Sequence, residues 1–306
     1  MGRLRGWWRD LTDLVLPAEC GGCGRMRAVL CPRCRTALSG TPPRRVRPDP
    51  EPAGLPPVHA AAPYADEVRA ALLAHKERGV LALTPPLGEA LAAAVRAGLL
   101  AAGSGVGGPA GSGVVGPDGS PGPVLLVPVP SARRAVRRRG HDPARRIALA
   151  AAGELRRTGT PARVAALLRQ RHAVADQAGL DARQRLDNLA GALAVAPGGG
   201  RLLCGGGPVV LVDDLMTTGA SLTEAARALR AAESWRGPDT YGMARSPVYP
   251  SAAGEGREER KTGPVKAGPN GGGDAIREAI CAAVVAASPD SFENKPELTE
   301  NLRRCR

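Results

Sequence analysis

Val209 to Leu229 reads VVLVDDLMTTGASLTEAARAL. Val209 to Val212 form a short unbroken apolar run, the pattern of a strand buried on both faces. The run ends in two carboxylates, Asp213 and Asp214. Small and hydroxyl residues follow (Thr217, Thr218, Gly219, Ala220, Ser221), and from Gly219 to Ala232 the pattern turns helical, with Leu222, Ala226 and Leu229 on one face. A helix start carries unpaired N–H groups and positive partial charge, so it binds phosphate. Thr and Ser add hydroxyl donors, and Gly219 lets the main chain approach closely. Adjacent carboxylates one step earlier suit the paired hydroxyls of a ribose. A strand–turn–helix capped by Thr or Ser explains each feature singly, but a buried strand gains nothing from ending in two carboxylates. The combination describes a site for a sugar 5′-phosphate.

Other segments of the chain supply the rest of a sheet. Val124 to Val129, Val164 to Leu168 and Ala282 to Ala287 are apolar runs of strand length. Asp142 caps a helix with Pro143 at its first position, running to about Arg157. Earlier helices are predicted from Tyr64 to Arg78, with Gly79 as C-cap, and from Pro86 to Leu100, with Leu87, Leu91 and Val95 on one face. Ile276 to Ile280 reads as a helix remnant. Strands alternating with helices imply an α/β fold with a parallel sheet and right-handed crossovers. The predicted organisation is a small module at 1–40, a Pro-rich linker at 41–57 and one α/β domain at 58–289. Within that domain lie a flexible low-complexity segment at 102–123 and an insertion at 237–273, and a polar tail occupies 290–306.

The chain has seven cysteines, and four of them pair as CGGC (Cys20, Cys23) and CPRC (Cys31, Cys34). Each Cys-x-x-Cys turn brings two thiolates to one ion, and four thiolates close a tetrahedral shell suited to structural zinc. Two disulfides or a redox dithiol are the alternatives, and the paired spacing favours metal. No coordination position stays open, so such a metal is structural. So short a segment has no core of its own, and the ion would supply most of its folding energy.

Leu125 to Arg146, LLVPVPSARRAVRRRGHDPARR, joins a strand to a basic cluster opposed only by Asp142. Arg133, Arg134, Arg137, Arg138 and Arg139 can each pair with phosphate oxygens. A solvated basic face accounts for most of the five, and Arg139 is the functional candidate.

The 209–229 run resembles the phosphoribosyl pyrophosphate (PRPP) motif of type I phosphoribosyltransferases. With the four cysteines ahead of it, the chain resembles the ComF family of competence-associated phosphoribosyltransferase-like proteins. The resemblance implies a Rossmann-like parallel sheet of the type I phosphoribosyltransferase fold with an N-terminal zinc ribbon. It implies that Asp213 and Asp214 hold the ribose hydroxyls and that Thr217, Thr218, Gly219, Ala220 and Ser221 hold the 5′-phosphate. Arg139-Gly140 matches the family's Arg-Gly signature beside the pyrophosphate, so Asp213, Asp214 and Arg139 are the implied catalytic residues. His141 and Asp142 stand where many relatives carry an aromatic-Asn-Gln run. Gln177, Leu180, Arg185 and Asn188 reproduce a further family spacing, in a region that closes as a lid over PRPP in related enzymes, where Arg169, Arg171 and Arg185 can meet the pyrophosphate. Lys76 falls where the family typically has Lys. Mg²⁺ would accompany PRPP.

Over 306 residues, 42 Lys+Arg against 29 Asp+Glu leave a net charge of +13. A GC-rich coding bias and attraction to an anion both account for it. With only three Trp, three Tyr and one Phe, the core falls to Ala, Val and Leu, and the scarcity argues against a stacking platform for single-stranded nucleic acid. No apolar run is long enough to span a bilayer. Met1 to Leu16 is interrupted by Asp10 and Asp13 and has no signal-peptide core, so the expected location is cytoplasmic. Two functions follow from the resemblance and the charge. One is phosphoribosyl transfer from PRPP to an unidentified nitrogenous acceptor, releasing pyrophosphate. The other is a non-catalytic accessory role in DNA uptake or processing, with DNA or its processing proteins on the basic surface and PRPP as a regulatory ligand. A homodimer stays open.

Overall fold

A computed structural model of the chain describes residues 19–103, 122–171, 182–203, 207–234 and 280–292. The strands among them are β1 (Arg44–Val46), β2 (Val58–Pro63), β3 (Val124–Pro128), β4 (Ala162–Val164), β5 (Leu168–Gln170), β6 (Leu193–Val195), β7 (Val209–Met216) and β8 (Ile280–Ala287). The helices are α1 (Pro32–Ser39), α2 (Asp66–Lys76), α3 (Thr84–Ala101), α4 (Arg133–Arg139), α5 (Pro143–Arg157), α6 (Ala182–Leu189), α7 (Gly200–Leu203) and α8 (Ala220–Ser234).

Six strands form one sheet in the order β1-β2-β8-β7-β3-β4, and β5 and β6 pair separately. β1 runs antiparallel to β2, and the other neighbours in the large sheet are parallel. This is the expected α/β architecture with a mostly parallel sheet. Side chains alternate across the sheet. Leu126, Val210, Val212, Ala283 and Val285 face a layer that holds α2, α3 and α5. Leu125, Val127, Val209, Leu211, Ala282 and Val284 face α8 and the β5–β6 pair. Cover on both faces explains why these strands are near-continuous apolar runs. Ala and Gly let the helices approach closely, and a Cβ on Gly88 of α3 would lie 2.4 Å from the Ala150 Cβ of α5.

Helix α5 starts as its sequence requires. Pro143 is in its first turn, and the Asp142 carboxylate accepts the Arg145 N–H at 3.2 Å.

Several expectations change. The strand read at 164–168 is two: β4 ends at Val164, level with Leu126 of β3, and after a break at 165–167 β5 pairs antiparallel with β6. β7 continues past Val212 to Met216, because β8 stays paired with it as far as Ala287. The 41–57 stretch is more than a linker, since it carries β1 on the sheet edge. The next residues, 58–63, form β2. Helix α2 stops at Lys76 with Glu77 as its C-cap, and Gly79 takes its positive φ two residues further on. Ile280 opens β8 rather than closing a helix. Residues 1–18, 104–121, the 237–273 insertion and the tail beyond Phe292 lie outside the described residues.

Candidate functional site

The chain leaves β3 through α5 toward β4 on one side, and leaves β7 through α8 toward β8 on the other. α5 and α8 pack on opposite faces of the sheet. The carboxyl ends of β3 and β7 therefore flank a switch point, where open α/β sheets offer a crevice for ligands. β3 makes its last pairing, Pro128 with Val212, just before the acidic pair, so β7 carries Asp213 and Asp214 beyond it on that side.

Asp214 is 5% exposed, and Asp213 is half-buried. The Asp214 N–H donates to Asp213 Oδ1 at 2.8 Å. Lys76, the last residue of α2, donates from Nζ to Asp214 Oδ2 at 2.8 Å. Burial and the neighbouring Asp214 charge push the Asp213 carboxyl well above the usual carboxylate range. Burial works against charge on Asp214 too, but the Lys76 ammonium overrides it and holds this carboxyl below its ordinary value. Burial likewise opposes the charge on Lys76, and Asp214 outweighs it, so the ammonium persists above its usual range. The two carboxyls are thus unequal: Asp214 favours its charged form beside Lys76, and Asp213 holds its proton more tightly than an ordinary carboxyl.

Beyond β7 the chain turns through residues 217–219 into α8. Gly219 has φ +75°, a conformation that favours glycine. Its carbonyl accepts both the main-chain N–H and the hydroxyl of Thr223, at 2.9 and 3.0 Å. Thr217 is exposed, and Thr218 and Ser221 are half-buried. A Cβ on Gly219 would meet Leu55 at 3.1 Å and Pro48 at 3.5 Å, so the Pro-rich stretch braces this loop.

After β3 comes α4, ended by Gly140 with φ +77°. The Arg139 side chain is 8% exposed, and its Nη1 donates to Glu77 Oε1 at 2.8 Å. Its Nε is buried with no hydrogen-bond partner among the described residues. Arg133, Arg134, Arg137 and Arg138 are exposed, and Arg138 lies 3.6 Å from Glu77. His141 is buried between main-chain carbonyls, with Nδ1 3.2 Å from Arg139 O and Nε2 3.2 Å from His75 O. His75, fully buried and 3.1 Å from Thr84 Oγ1, is held down to about 4 by burial and by His141. Asp142, besides capping α5, receives the Ser131 N–H and hydroxyl, each at 3.4 Å.

The sequence points to the acidic pair, the 217–221 loop and Arg139-Gly140 as one site, and to Lys76 only through the resemblance. It gives no sign of Glu77. Both bind partners far along the chain, and no local pattern marks such a pairing. Arg169 and Arg171 are exposed at β5. Asn188 lies on α6, while Gln177, Leu180 and the Arg185 side chain lie outside the described residues. A cleft of about 540 Å³ lies between Gly54, Leu186 of α6 and Ala220, Thr223 and Arg227 of α8. It adjoins the loop, and the acidic pair does not line it.

The four N-terminal cysteines form a separate centre. Their sulfurs all lie within 4.8 Å of one another. Cys20 and Cys23 flank a turn closed by Gly24 N–H to Cys20 O and Cys20 N–H to Arg25 O. Cys31 caps α1, with Cys34 in its first turn. The second pair therefore opens a helix instead of forming the second knuckle of a ribbon. A tetrahedral zinc–thiolate shell with bonds of ~2.3 Å spaces its sulfurs about 3.8 Å apart, and Cys23 and Cys31 already stand at 3.5 Å. Burial resists charge at Cys20, yet the N–H groups of Cys23, Cys31 and Gly22 bring its thiol down to about 6. These residues can hold a structural metal ion such as zinc. Cys20, Cys31, Cys34 and Leu38 share one core with α2 and α3, and Arg33 and Arg35 pair with Glu67 and Glu89.

No protein-family model matches the chain, and no curated protein matches it. Among the described residues, no helix is long and apolar enough to cross a membrane.

Proposed function

We propose that the chain binds PRPP at the β3–β7 switch point and transfers its phosphoribosyl group to a nitrogenous acceptor, releasing pyrophosphate. The observation that carries this reading is the juxtaposition there of an acidic pair, a Gly219-centred loop entering α8, and a buried arginine after β3. The acidic pair would hold the ribose hydroxyls. Main-chain N–H groups and hydroxyls of 217–221 would hold the 5′-phosphate. Arg139 and Gly140 would face the pyrophosphate, with the orphaned Arg139 Nε as a spare donor. Mg²⁺ arriving with PRPP supplies further charge neutralisation on the leaving group. On this reading the sheet is of the type I phosphoribosyltransferase kind, the cysteines hold zinc, and the protein works in a reducing cytoplasm where its thiols stay free of disulfides.

Thermal unfolding with millimolar PRPP and Mg²⁺ tests the binding step. The expected result is a rise in Tm that Asp213→Asn abolishes, on the order of 2.7 kcal/mol of stabilisation at a hundredfold excess over Kd. An unmoved Tm overturns the proposal. Pyrophosphate release with candidate acceptors then separates an enzyme from a sensor.

The exposure of Arg133, Arg134, Arg137 and Arg138 on one short helix favours a second reading, DNA held by its phosphates. That reading expects a salt-dependent DNA shift that survives Asp213→Asn and is lost when all four arginines become alanine. A shift unaffected by the four alanines rules it out.

A further inference from the structure

We infer that Lys76 is a positioning residue that divides the labour of the acidic pair: it fixes Asp214 as a buried counter-charge and leaves Asp213 to meet the sugar hydroxyls. The inference rests on the phosphosugar reading above and goes beyond it, because that reading treats the two carboxylates alike.

The asymmetry starts in the strand. Successive residues of β7 alternate across the sheet, so the Asp214 Cβ follows Val210 and Val212 toward the layer of α2, α3 and α5. There it meets the end of α2. Asp214 is 5% exposed and takes the Lys76 ammonium at 2.8 Å, whereas Asp213 is half-buried and has no cation within salt-bridge distance among the described residues. The main chain makes the roles more unequal. The Asp214 N–H holds Asp213 Oδ1, which orients the more accessible carboxyl from below.

Lys76 is also well placed to act as a ruler. It and Glu77 are adjacent at the end of α2, and between them they hold one group from each side of the crevice. Lys76 takes Asp214 from β7, and Glu77 takes Arg139 from the segment after β3. A buried carboxylate whose partner is removed is left uncompensated, and so is the cation if the carboxylate goes. Removing both leaves neither charge stranded. The pair is therefore a reciprocal unit, and its double replacement should be milder than either single one.

The test compares wild type, Asp213→Asn, Asp214→Asn, Lys76→Met, Lys76→Arg and the Lys76→Met/Asp214→Asn double variant. Calorimetry measures PRPP–Mg²⁺, ribose 5-phosphate and pyrophosphate binding to each, alongside Tm. Losing one hydrogen bond to a charged group costs about tenfold in affinity or more. Asp213→Asn is expected to lose at least that for ribose 5-phosphate and to keep pyrophosphate binding within about twofold. Lys76→Met and Asp214→Asn should each weaken ribose 5-phosphate binding about tenfold, while the double variant returns to within about threefold of wild type. Lys76→Arg should retain binding.

A double variant as weak as Asp214→Asn alone overturns the inference, since Asp214 then touches the sugar itself. Selective loss of pyrophosphate binding in Lys76→Met also overturns it, because Lys76 would then be a direct ligand of the leaving group. Parallel losses for sugar and pyrophosphate mark a merely structural pair and overturn it too. A wild-type protein that binds none of the three probes refutes the phosphosugar reading first, a result distinct from the others.

Discussion

Asp213 is a carboxyl group held in an expensive place. Burial and the charge of Asp214 raise its affinity for a proton above that of the unfolded chain. Between the ordinary carboxylate value and this raised one the folded state binds more protons, so stability falls as pH rises through that window. Asp213→Asn keeps an oxygen to accept the Asp214 N–H and removes the charge. It should therefore melt higher than wild type at pH values above the ordinary carboxylate range. The gain should vanish below the ordinary carboxylate range, and Tm measured from pH 3 to 8 checks it. A variant that binds less sugar phosphate yet melts higher marks a group kept for function. His75 acts in the opposite sense. Its folded value of about 4 lies below the ordinary 6.5, so acid below about pH 6.5 favours the unfolded state until pH 4. At this scale the sequence was legible where chemistry is contiguous, as in Asp213-Asp214 or the two Cys-x-x-Cys pairs. The Lys76–Asp214 and Glu77–Arg139 pairs were not, because only the folded sheet brings them together.

Among the elements, the helix pair α3–α5 depends on how small its meeting residues are. A Cβ on Gly88 would stand 2.4 Å from the Ala150 side chain and 3.0 Å from main-chain atoms of α5, and none of these can move aside alone. Gly153, also in α5, has nothing within 4 Å of its would-be Cβ. Gly88→Ala should lose about 1–3 kcal/mol by overpacking, and Gly153→Ala should gain about 0.5–1 kcal/mol from helix propensity. Urea midpoints of opposite sign are the expected result. The same Ala-rich composition decided which elements could be read in advance. β3, β7 and β8 announce themselves through Val and Leu, and α5 through its Asp-Pro cap. β2 reads VHAAAP, and Ala has little strand preference, so its place depends wholly on the neighbours it pairs with. β1, at three residues, is a strand only because β2 is beside it.

For the whole molecule, the cysteine centre is part of the main body. Cys31, Cys34 and Leu38 are buried in the same core as Leu83, Leu87 and Leu91. If zinc fills the centre, removing it should loosen the core that these cysteines share with α2 and α3. Cys31→Ser, or a strong chelator, should lower Tm by about 10 °C or more within a single calorimetric transition, with no separate early melting of a module. An early independent peak would mean the centre folds by itself. The sheet order has a consequence in time. β8, the last strand among the described residues, is seated between β2 and β7. A growing polypeptide therefore leaves the ribosome with two incomplete ribbons, β1–β2 and β7–β3–β4, each showing a bare hydrogen-bonding edge. No strand-to-strand hydrogen bonds join them until Ile280 to Ala287 emerges and slides in as the keystone. Until then each edge is a template for pairing with the wrong chain. Truncation before residue 280 thus makes a sticky intermediate, with the waiting edges of two half-sheets, instead of a shorter working protein.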